Sequence, residues 1–87
     1  MATLAEYEVG KLDELLAALA YSETDDAAKM VEEHIQAARI NRLGAMPREF
    51  ALNLAMAREA LGRIGDAGTK TKATALLEDV ISVHQAR

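Results

Sequence analysis

Behind a proline at position 47, Phe50, Leu54, Ala57, Leu61 and Ile64 recur at alternating gaps of four and three residues. That spacing lays one apolar stripe along an α-helix; a strand, whose side chains alternate, would split it between two faces. Three further segments carry the same period: Val9, Leu12, Leu16 and Leu19; Ala27, Val31, Ile35 and Ala38; and Ala73, Leu77, Val80, Ile81 and His84. The expectation is an all-α fold of four helices in a single domain, residues 1 to 87. Eighteen alanines against three aromatic residues support it, because Ala favours helix and close helix contact whereas strands draw on β-branched and aromatic side chains.

Local signals set the boundaries. Thr3 with Glu6 reads as a capping box at the start of the first helix. The seam itself covers residues 9 to 21 and stops at Tyr21-Ser22, with residues 1 to 8 either continuing the helix or fraying. Thr24 or Asp25 caps the second helix, which runs to about Leu43, where Gly44 is placed to act as a left-handed C-cap. Pro47 opens the third helix, where a missing N–H costs nothing, and Gly65-Asp66 closes it. The loop DAGTKTK then leads into the fourth. Connections this short join antiparallel neighbours, either as an up-down bundle or as two stacked helical hairpins.

Composition narrows the function classes. With no Cys there is no disulfide, thiolate nucleophile or zinc finger, and a cytoplasmic setting fits best. No segment approaches the ~18 uninterrupted apolar residues of a membrane span, so no membrane association is expected. A net charge of −4 disfavours nucleic acid, whose binding domains normally present a basic face. The charge is unevenly spread: residues 1 to 38 hold two basic and nine acidic side chains, residues 39 to 87 eight basic and five acidic. The acidic first helices either neutralise the basic later ones or form a docking face for a charged partner.

Few residues invite chemistry, and no cofactor or metal is implied. His34 lies on the apolar side of its helix, which suits a packed or interface histidine. His34 and His84 could meet across the bundle, yet further metal ligands are missing from the His34 seam. Lys70 and Lys72 fall in the expected first turn of the last helix, where they could attract an anion, although the preceding loop lacks the spacing of a nucleotide P-loop. Arg39, Arg42 and Arg48 would serve nucleic acid only if they shared one face, and Glu32 interrupts that stripe. The small residues of the third helix and the adaptable Met30 and Met56 suit core packing or a protein-binding groove. Leu15, Leu52, Met56 and Val83 are the residues expected to form an exposed apolar patch.

Two family resemblances follow from these residues. From Leu12 to Val83 the order of features resembles the helical region of small bacterial tetratricopeptide-repeat proteins: LDELLAALA, an Ala28-Glu32-Ile35 helix, a Gly-containing turn and a hairpin turning at Gly-Asp. Leu54, Ala57, Leu61 and Gly65 take the spacing of the repeat's first helix and turn, and Ala73, Leu77 and Val80 that of its second. Arg58 replaces a small residue, Leu61 an aromatic one, and the turn is about three residues long in excess. A single repeat implies a helical adaptor or dimer, since a solenoid groove needs about three. His34 followed by Leu43-Gly44-Ala45 is similar to a histidine phosphotransfer domain, which would make His34 a phosphoacceptor, but Ala37 and Ala38 stand where that family carries Lys and Gly. The expectation drawn is a non-catalytic interaction module that holds a protein partner or itself as a homodimer; the alternative is a phosphotransfer-like signalling domain using His34.

Overall fold

Four helices account for most of residues 3–20 and 25–86, the part of the chain that the computed structural model describes. They are α1 (Leu4–Leu19), α2 (Asp26–Leu43), α3 (Pro47–Leu61) and α4 (Ala67–Gln85), and no strand occurs among the described residues. α1 packs on both α2 and α4, α2 packs most extensively on α3, and of these neighbouring pairs α3 and α4 touch most sparsely. Each helix thus neighbours its successor and the last closes on the first. This is a four-helix bundle in which short connections reverse the chain direction.

The caps explain most of the boundaries. Thr3 accepts a hydrogen bond from the Glu6 N–H at 3.1 Å, so α1 starts at Leu4 and residues 4 to 8 belong to it. Asp25 caps α2 through the Ala27 and Ala28 N–H groups; the alternative cap Thr24 and the Tyr21-Ser22 stop lie outside the described residues. Gly44, expected in a left-handed conformation, is instead right-handed at φ −87°, and Ala45 takes φ 55°. The hydrogen bonds explain the displacement: Met46 N–H bonds to the Asn41 carbonyl and Ala45 N–H to that of Arg42, the pairing of a Schellman turn with Ala45 in the left-handed place.

Two boundaries of the second hairpin also move. α3 ends at Leu61 rather than Gly65-Asp66, with two tight turns, Arg63 to Ala60 and Ile64 to Leu61, carrying the chain on. α4 begins at Ala67 inside the expected DAGTKTK loop, because Asp66 accepts from the Thr69 N–H at 2.8 Å and caps it there. A second acid secures this end of the bundle. Asp25 Oδ2 accepts from the Gly65 N–H at 2.8 Å, joining the start of α2 to the α3–α4 connection. That bond and its cap bonds hold the Asp25 carboxyl below the ordinary carboxylate range.

Among the described residues the core is aliphatic around a single aromatic side chain, Phe50. Leu12, Leu15, Val31, Ile35, Leu77 and Val80 are all at least 99% buried around it, each worth roughly 1.5–3 kcal/mol of apolar transfer. Small buried residues, among them Ala38, Ala57, Ala60 and Ala73, let the helix axes approach. Two ion pairs join the acidic and basic halves of the chain: Arg39 bonds to Asp13 at 2.9 Å and Arg42 to Glu8 at 3.0 Å, each tying α2 to the acidic α1. Glu8 is fully buried and Arg42 mostly so, which makes this pair a tertiary contact rather than a surface ornament.

Candidate interaction surface

The residues expected on the surface divide. Leu52 is 59% and Met56 42% exposed, one turn apart on α3, and Val83 is half-buried. Leu15 is fully buried, so it belongs to the core and not to a contact patch. The reason is a rotation of α1 by about one residue: its buried stripe runs Glu8, Leu12, Leu15 and Leu19, and Leu16 rather than Leu15 sits at the edge. Because the first position of that stripe is a carboxylate, the apolar pattern alone starts one residue late at Val9. Ile40 and Leu43, at 64% and 63% exposure on α2, are the most exposed large apolar side chains described, and neither belongs to the expected apolar patch. Their signal was available, since both stand off the stripe Val31, Ile35, Ala38.

Both histidines sit in helix–helix contacts. His34 Nδ1 lies 3.2 Å from Asn53 Oδ1, and the Asn53 and Asn41 amides meet at 2.7 Å, so a polar ladder crosses the α2–α3 interface. His84 packs edge-on against Phe50, ring centres 5.1 Å apart, and its buried Nδ1 has no hydrogen-bond partner among the described residues. The two rings therefore serve different interfaces. No group of three or more His, Cys, Asp or Glu capable of holding a metal occurs among the described residues. Of the three arginines considered for nucleic acid, Arg39 and Arg42 are occupied by α1 carboxylates. Lys70 and Lys72 follow the start of α4, where Asp66 caps the Thr69 N–H and its carbonyl accepts from the Lys70 N–H.

Where α3 meets α4 the packing leaves open space. Three depressions follow one another along that seam: about 270 Å³ beside Asn41, Met46, Phe50 and His84; about 350 Å³ over Ala51, Leu54, Ala55, Ile81 and His84; and about 310 Å³ beside Arg58, Leu61, Thr74 and Leu77. His84 is shared by the first two and Arg58 borders the last two, so they form a run rather than isolated dimples. The cause is side-chain size. Where α3 turns toward α4 it offers Ala51 and Ala55, and the pair is bridged on the outside by Arg58 Nε to Glu78 Oε1 at 2.7 Å. Beside this trough stands the ridge of Leu52 and Met56.

No helix is long and apolar enough to cross a membrane among the described residues. No family model, curated protein or solved structure matches the chain.

Proposed function

We propose that the chain is a non-catalytic, cytoplasmic helical module that binds protein, a partner or a second copy of itself, through the outward face of α3. The observation that carries this reading is the Leu52–Met56 ridge standing beside the alanine-lined trough between α3 and α4. A ridge next to a trough offers a passing helix both a knob and a hole, and a Met in the ridge adapts to irregular partners. Ile40 and Leu43 at the far end of α2 extend the apolar surface available to a larger partner.

Site-specific photocrosslinking in the cells that make the protein tests this. A photoreactive side chain at position 52 should give discrete protein adducts, whereas one at the exposed Ala75 on the outer side of α4 should give none. A blank lane at position 52, or equal labelling at both positions, would remove the reading.

A further inference from the structure

The outward face of α3 carries a second periodic pattern that the core does not use. Arg48, Leu52, Ala55 and Glu59 recur at gaps of four, three and four residues, and all four are exposed. At 100° per residue they fall within about 60° of arc, along the middle of the exposed side and opposite Phe50, Ala57 and Ile64. This is the a/d spacing of a coiled-coil seam. It is too short and too charged to be a core stripe, and it ends at Gly62, the cap of α3.

The order of residue types within the seam is what identifies its occupant. Charge and size run Arg, Leu, Ala, Glu, so reversing the direction gives Glu, Ala, Leu, Arg: the complement of the first, position by position. A two-fold axis crossing α3 level with the Asn53–Leu54 peptide therefore sets Arg48 against the partner copy's Glu59, and Leu52 against its Ala55, and repeats both contacts by symmetry. Opposite charges meet and a large side chain meets a small one in all four layers. Met56 then flanks the Leu52 layer on the same side. Arg48 and Glu59 have no ion-pair partner among the described residues, whereas Arg58 next to them is held by Glu78. Other alignments fail the same comparison. A parallel, in-register pair would set Arg48 on Arg48 and Glu59 on Glu59, and an antiparallel pair slid by one heptad would press Glu59 onto Ala55 and leave Arg48 unmatched.

We infer that the occupant of this face is a second copy of the chain, docked as an antiparallel α3–α3 pair about that axis. An interface of one shared patch is the usual form of a two-fold dimer. The inference rests on the interaction reading given above and narrows it to one partner and one register. With a single helix of ~22 Å in contact on each side, the interface falls at the small end of specific contacts, so the dimer is expected to be reversible and of micromolar strength or weaker.

Sedimentation equilibrium from about 10 µM to about 1 mM provides the test, with each variant's helicity and melting checked by circular dichroism. The average mass of the native chain should climb from one copy toward two. Arg48→Glu and Glu59→Arg should each weaken association by about tenfold or more, because each places like charges opposite one another twice, and the double exchange should return to within about threefold of the native value. Leu52→Glu should abolish association while leaving the melting curve in place. A dimer indifferent to the single exchanges, or a double variant no better than either single one, would overturn the register. A chain that stays single throughout would overturn the dimer, and crosslinks from position 52 to other proteins would then show that the broader reading survives without it.

Discussion

The two neighbours of α3 hold it in opposite ways. Toward α2 it presents Asn53, Ala57 and Ala60, and the contact is the most extensive in the molecule, closed by a polar ladder from His34 through Asn53 to Asn41. Toward α4 it presents Ala51 and Ala55, the contact is sparse, and a trough runs its length. Alanine occurs on both sides, so composition does not make the difference. On the first side the opposing backbone comes close enough to fill the space that a missing side chain leaves; on the second the outer Arg58–Glu78 bridge spans a gap that nothing fills. Small residues close an interface only when something else draws the two helices together, and partly buried hydrogen-bonding groups that meet across it do so.

Four substitutions would sharpen or break this contrast. Phe50→Ala should have the largest effect, about 3–5 kcal/mol of destabilisation by chemical denaturation, because Phe50 is buried in the core while its ring also carries His84 of α4. The sharpest comparison is between two enlargements. Ala57→Leu on the closed side should cost about 1–3 kcal/mol through overpacking, whereas Ala55→Leu on the open side should stay within about 0.5 kcal/mol of native; similar losses at both would show the trough to be filled. Asn53→Ala should cost about 1–2 kcal/mol by leaving buried Asn41 short of a partner. It should also broaden the His34 ring resonances in NMR spectra, while an unchanged spectrum would argue against the ladder.

The smallest effect concerns pH. Asp25 links the two regions at one end of the bundle through the Gly65 N–H. Its carboxyl is held below the ordinary range, first by that bond and then by those to Ala28 and Ala27. A group whose pKa is lowered on folding adds stability that is fully present above its unfolded value and is lost as pH falls through its folded one. The native chain should therefore be more stable than Asp25→Asn at neutral pH, and the gap should close as pH drops below about 4. Thermal melts of both proteins across that range read it directly, and parallel curves at every pH would show that the carboxylate charge is not what matters. Asp66 is lowered in the same sense by Thr69 and contributes to the same acid limb.

Much of this architecture can be read from periodicity and caps. The seam Phe50, Leu54, Ala57, Leu61 and Ile64 is buried in full, and Thr3, Asp25 and Pro47 mark helix starts where local rules place them. What is not legible depends on partners distant in sequence. Glu8 is fully buried because Arg42, thirty-four residues away, meets it, and no local rule places a carboxylate in a seam. Leu15 lies on the same buried stripe as Glu8. Gly65 and Gly68 mark a loop by type, yet Asp66 starts α4 between them, so a cap outweighs the glycines around it. For the surface, Leu52 and Met56 are visible as apolar residues off the stripe, but the openness of the α3–α4 seam depends on how far apart two backbones settle, which sequence spacing does not encode.

The ladder of His34, Asn53 and Asn41 has one more consequence. Sliding α3 by a turn against α2, or rolling it about its own axis, would part these side chains and leave the buried Asn41 amide without Asn53. The helix that carries Leu52 and Met56 is thus clamped from behind while its front stays uncovered. Any visitor to that front meets a ridge already set in azimuth and height, so little ordering entropy is left to lose on contact.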